Sequence, residues 1–109
     1  MTAFPDDIMT EYKRCFRRPE VIAATCADYR AGATIDDNHD LADLKVGRMI
    51  ECPTLAFYSG TFVDEKRDPL KQWQRWAKKV TAERVQSGHF IPEEIPDQII
   101  AKLSQFMAS

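Results

Sequence analysis

No stretch of this sequence is apolar for long enough to cross a bilayer. The hydrophobic runs fall far short of the roughly 20 residues a spanning helix needs. The amino-terminal MTAFPDDIMTEYK carries acidic residues and has no apolar core of signal-peptide length, so a cytoplasmic protein is expected. Positive charge is not in excess either. Fifteen Lys and Arg against 17 Asp and Glu leave a formal charge of -2, which provides no basic field for nucleic acid or an anionic membrane. Neither is expected as a partner. Cysteine is sparse: Cys15, Cys26 and Cys52 are odd in number, irregularly spaced and without a CxxC pair, and neither histidine lies near them in sequence. Zinc and disulfide roles are disfavoured, and free core thiols in a reducing compartment are expected. Internal repeats, low-complexity tracts and Gly/Ser-rich linkers are also absent.

What is present is a 109-residue composition of 44% hydrophobic and 29% charged residues, which suits one globular domain or a piece of a larger one. Two halves of different character meet near Gly47. In residues 1–47, Ile8, Tyr12, Cys15 and Phe16 share a helical face, and Arg17-Arg18 precede Pro19. A second helix is expected from Pro19, whose missing N–H costs nothing in a first turn, to a stop at Gly32. Val21, Ile22, Thr25, Cys26 and Tyr29 would form its buried stripe. The stretch Thr34 to Val46 reads as an acidic loop followed by a short helix.

Residues 48–109 change period. Met49 to Tyr58 ends in a continuous apolar run closed by Ser59-Gly60, as a strand buried on both faces of a parallel sheet reads. After a polar loop, Asp68-Pro69 is a helix start, and the helix is expected to reach Lys79 with Leu70, Trp73, Trp76 and Ala77 inward. Val80 to Gln86 reads as a second strand. Ser87-Gly88-His89-Phe90 and a proline-bearing loop follow, then a last helix with Ile95, Ile99, Leu103 and Phe106 inward. The order is strand, helix, strand, helix of a parallel α/β sheet. Two strands alone leave an apolar edge unpaired, so a partner chain or a homo-oligomer is expected to cover it.

His89 follows a strand and precedes a helix, where open parallel sheets place their chemistry. A histidine there could act as a general base, and Gly88 would let the backbone turn sharply. On these residues alone, a loop-capping histidine without catalytic duty remains open. His39, among Asp37, Asn38 and Asp40, reads as an exposed polar turn rather than a metal ligand. Trp73 is expected to pack on the sheet with Trp76 at its margin, and Glu93 and Glu94 to favour the positive end of a helix.

Taken together, Asp28-Tyr29-Arg30-Ala31-Gly32-Ala33-Thr34-Ile35-Asp36, Cys52-Pro53-Thr54-Leu55-Ala56, Asp68-Pro69-Leu70 with Trp73, Gly88-His89-Phe90 and Glu93-Glu94-Ile95-Pro96 resemble haloacetate (fluoroacetate) dehalogenases of the α/β-hydrolase superfamily. The likeness runs from about Glu11 to Phe106. It implies a partial α/β-hydrolase fold, with a helical cap segment over 1–47 and the carboxy-terminal βαβα part of the core over 48–109. In that family an aspartate displaces halide and forms an ester, and a histidine activates the water that cleaves it. By motif, His89 matches that base. Tyr29 matches a cap tyrosine that hydrogen-bonds the leaving halide, a task suited to a neutral O–H donor. A core tyrosine is the competing reading of Tyr29. Arg30 is given no substrate role.

The departure from the family matters as much as the match. The chain contains no G-x-S-x-G and no His-Asp-Arg-type segment on a strand-turn-helix, so it lacks the nucleophile and is expected to be inactive alone. The acid partner of the histidine is Asp64 if it lies in this chain, although Asp64-Glu65-Lys66-Arg67-Asp68 also reads as a solvated loop. No metal or organic cofactor is implied, and the substrate would be a small haloacid once the site is complemented. Two alternatives stand beside this reading: an epoxide or ester hydrolase of the same architecture, and a non-catalytic oligomerising module.

Overall fold

A computed structural model describes residues 4–60 and 68–109. They divide into two units, Phe4–Arg48 and Met49–Ser109.

The first unit is helical: α1 (Asp6–Phe16), α2 (Pro19–Gly32) and α3 (Ile35–Val46). Asp6 and Asp7 occupy the first turn of α1 and Lys13 and Arg14 its last, complementing the helix dipole at both ends. Glu11 accepts two hydrogen bonds from Arg14, at 2.8 and 2.6 Å, one turn along the same face. Arg18 is extended (φ -79°, ψ 122°) because the residue before a proline is pushed out of the helical region. Pro19 then opens α2 where its absent donor has no cost. Gly47, at φ 70°, ends α3 in the left-handed region, and the Arg48 amide reaches back to the Asp43 carbonyl at 2.9 Å. The Arg48 guanidinium also bonds the Asp43 carboxylate at 2.8 Å.

This unit corrects three expectations. Residues 35–46 are one helix, not a loop followed by a short helix, since Asp36 and Asp37 fall in a first turn where negative charge is favourable. His39 accordingly lies inside α3. The stripe expected to be buried on α2 is open: Ile22, Cys26 and Tyr29 are exposed and only Val21 and Thr25 are half-buried. Three short helices packed in sequence offer no opposing apolar layer, and none of their residues is buried. A shallow apolar groove between α1 and α2 is lined by Tyr12, Cys15, Phe16 and Val21. The three cysteines are free but are not core thiols, Cys26 and Cys52 being exposed.

The second unit holds two parallel strands, β1 (Ile50–Ser59) and β2 (Ala77–Val85), with α4 (Pro69–Trp73) in the connection, then α5 (Ile91–Glu94) and α6 (Pro96–Met107). The expected strand, helix, strand, helix order is observed, with α5 as an added turn. Pairing runs from Pro53↔Lys79 to Ser59↔Val85, with an irregularity between Ile50 and Pro53. Pro53 has no N–H to give a ladder, and prolines inside strands collect at such bulges. Asp68 caps α4 by accepting the Lys71 amide at 3.3 Å.

The helix expected to reach Lys79 stops at Trp73, and β2 begins at Ala77. The Ile50 amide donates to the Trp76 carbonyl at 2.7 Å, so pairing with β1 takes these residues from the helix. Trp73 is correspondingly 41% exposed rather than packed on the sheet, and Leu70 is also exposed. The core consists of Ala56, Ala77, Val85 and Ile99, with Ser59 the buried polar residue among those described. Leu55, Phe57 and Tyr58 are half-buried, so β1 is not enclosed on both faces. Leu103, expected inward on α6, is exposed, while Phe106 is half-buried. The helix is tied to β2 through the Lys102–Glu83 ion pair. No helix among the described residues is long and apolar enough to cross a membrane.

Candidate functional site

The chemistry-bearing loop lies between β2 and α5. Parallel pairing puts the carboxyl ends of β1 and β2 side by side, and the loop leaves from that end. Ser59, the last residue of β1, donates its hydroxyl to the Ser87 carbonyl, tying the loop to the neighbouring strand. His89 is exposed, with the ring of Phe90 edge-on to it at 5.0 Å and 82°.

Glu94, at the end of α5, folds back over this loop. It accepts the Gly88 amide at 2.5 Å, the Phe90 amide at 3.2 Å and the Ser87 hydroxyl at 3.2 Å. Phe90 is also the N-cap of α5, and its carbonyl accepts the Glu94 amide at 2.9 Å, so Phe90 and Glu94 bind each other reciprocally. The Gly88 amide, with help from the Phe90 amide, the Ser87 hydroxyl and the adjacent His89 ring, holds the Glu94 carboxyl below the usual glutamate value despite some desolvation.

Two sequence readings change here. Gly88 does not have a positive φ, Gly47 being the residue that does among those described. A Cβ at 88 would sit 2.7 and 2.9 Å from the two Glu94 carboxylate oxygens, so a larger residue there would displace the Glu94 side chain from the loop. Glu94, read from sequence as a charge at a helix N-terminus, is the residue that pins the histidine loop. The signal available in the sequence is a carboxylate four residues beyond Phe90, within reach of the loop amides.

Of the other candidates, Tyr29 lies on α2 in the helical unit and is 79% exposed. Asp64 lies outside the described residues. No group of three or more His, Cys, Asp or Glu able to hold a metal occurs among the described residues. The loop therefore presents an accessible imidazole, capable of accepting a proton at a ring nitrogen, on a backbone restrained at several points.

No protein-family profile matches the chain. Individual proteins do. The chain is 32% identical over 108 residues to a fluoroacetate dehalogenase from Burkholderia sp., covering 96% of this chain and 34% of that protein. It is 30% identical over 106 residues to a soluble epoxide hydrolase from Corynebacterium sp., covering 96% and 35%. A solved structure from Nostoc sp., assigned as an alpha/beta hydrolase, superposes with a TM-score of 0.85 at 40% identity, over 96% of this chain and 36% of that one. The chain's fold is that of part of an α/β hydrolase. A Pseudomonas aeruginosa structure assigned as an epoxide hydrolase fits with a TM-score of 0.89 at 31% identity, over 99% of this chain and 36% of that one. Relative to these α/β-hydrolases the chain spans about a third of their length.

Proposed function

We propose that the chain contributes the water-activating base, His89, to an α/β-hydrolase that removes halide from a small haloacid. The observation that carries this is the histidine loop at the carboxyl end of β2, in a chain 32% identical over 108 residues to a fluoroacetate dehalogenase. An aspartate carboxylate from outside this chain attacks the halogen-bearing carbon, the carbon–halogen bond breaks, and halide leaves with the electron pair. Water then attacks the ester carbonyl while giving a proton to the His89 imidazole. The acyl–oxygen bond breaks, the departing alkoxide takes that proton, and the reformed acid ionises to solvent.

Tyr29 donates its phenol O–H to the departing halide. Its exposure supports this over a core tyrosine, since it is not packed among its own helices. Asp64 is the candidate carboxylate within this chain for orienting the imidazole. The reaction needs no metal or organic cofactor. A polypeptide supplying the nucleophile, or a second copy of the chain, would cover the open strand edges, which the two-stranded sheet leaves among the described residues.

Halide release from fluoroacetate or chloroacetate by the assembly that contains this chain tests the proposal. His89→Ala should stop turnover after the first displacement and leave an ester on the aspartate, visible as a mass increase. Turnover of epoxides without haloacids would favour the second reading, which rests on the epoxide hydrolase likenesses in sequence and structure. A complemented assembly that hydrolyses neither would leave the chain as a non-catalytic association module.

A further inference from the structure

We propose that Glu94 is a positioning residue for His89, a carboxylate that fixes the backbone on both sides of the histidine; this rests on His89 being the base. The Gly88 and Phe90 amides flank His89 directly, and both donate to the Glu94 side chain, at 2.5 and 3.2 Å. One acceptor thus holds the peptide that follows His89 and the peptide that enters Gly88, bracketing residue 89 between two anchored points. The Ser87 hydroxyl adds a third bond, at 3.2 Å, and the Ser87 carbonyl is held from the opposite side by Ser59. Hydrogen bonds to an ionised acceptor are about twice as strong as neutral ones, and an exposed loop has few other means of rigidity. Residues 86–90 lie outside β2 and α5, so the restraint on them comes from the side chain of Glu94, the last residue of α5.

Two features agree with the restraint. Gly88 leaves the carboxylate its place, since a Cβ there would displace it. α5 returns Glu94 to the loop within one turn: Phe90 starts it, Glu94 ends it, and each binds the other. A base that must meet a water and an ester in one geometry gains from such preorganisation, since small displacements of a reacting group cost large factors in rate.

The test compares Glu94→Gln, Glu94→Ala and His89→Ala in the haloacid-hydrolysing assembly, with amide hydrogen exchange as a readout independent of turnover. Glu94→Ala should speed exchange at Gly88 and Phe90 by about tenfold or more, leaving β1 and β2 unchanged. It should lower kcat by a similar factor with kcat/KM for the haloacid little changed, KM falling with kcat as the aspartyl ester accumulates as in His89→Ala. Glu94→Gln, which keeps one acceptor oxygen and the shape, should fall between wild type and Glu94→Ala on both readouts, and serves if the alanine variant does not fold. Unchanged exchange at Gly88 and Phe90, or faster exchange with undiminished kcat in an enzyme that His89→Ala inactivates, would overturn the positioning role. Full activity in His89→Ala would instead remove the base reading on which it rests.

Discussion

The two units of this chain are built from opposite kinds of contact. In Phe4–Arg48 the polar links are local: Glu11 with Arg14, Arg18 with Glu20, Asp43 with Arg48, each within five residues. In Met49–Ser109 they reach across the sequence, from Ser59 to Ser87, Lys78 to Glu51 and Lys102 to Glu83. Burial divides the same way: the helices α1 to α3 bury no residue, whereas the second unit encloses Ala56, Ala77, Val85 and Ile99. Helices satisfy their backbone internally and can be drawn correctly without neighbours, while strands exist only by pairing. The comparison teaches that an apolar face can be fully formed on a helix without being buried by its own unit.

The comparison can be broken most directly at the base. His89→Ala in the complemented enzyme is expected to reduce steady-state haloacid hydrolysis by about a hundredfold or more, the usual contribution of a positioned general base, as read by halide release. Tyr29→Phe should reduce it less, through the first displacement, with no change in the chain's own stability.

Stability comes next. Ile99→Ala removes a buried side chain, and about 2 kcal/mol should be lost from the unfolding free energy of the isolated chain, measured by denaturant titration. Ile22→Ala, at a position 42% exposed, should cost about 0.5 kcal/mol or less in the same chain. Equal costs at the two sites would erase the contrast between the units. A cost at Ile22 that rises when a partner is added would sharpen it, because the open stripe would then have found its layer.

A smaller effect is expected at the end of α3. Gly47→Ala places a Cβ in the left-handed region and should cost about 1 kcal/mol, seen as a lower melting temperature, with Gly47→Asn better tolerated.

The subtlest prediction concerns acid. The Glu94 carboxyl titrates below its usual value in the fold, so its contribution is complete above the unfolded value of about 4.3 and is lost as pH falls through the lower folded value. The loop should therefore stay clamped at neutral pH and loosen only in acid. Amide chemical shifts of Gly88 and Phe90 should report that loosening, and Glu94→Gln should abolish its pH dependence.

Much of this architecture was legible in the chain. Pro19 and Asp68-Pro69 announced helix starts through a missing donor and a capping carboxylate. The apolar run before Ser59 announced a strand, and the GHF loop stood out between strand and helix. What escaped depended on tertiary pairing. The end of α4 is overridden where Trp76 and Ala77 pair with β1, and the first turns of α3 read as an acidic loop before a short helix because their carboxylates were counted as solvated rather than as first-turn charge. Burial was overestimated on α2 and α6 for one reason: periodicity shows which face is apolar, not whether anything lies against it. At the candidate site, His89 stands out by its position after a strand, whereas the contacts of Glu94 depend on its side chain turning back toward residues 87–90.

The hydroxyl of Ser59 closing on the carbonyl of Ser87 joins the tip of one strand to the turn leaving the other. A strand and a loop so fastened cannot drift independently. The register of β1 is thereby linked, through one serine, to the backbone two residues before the imidazole.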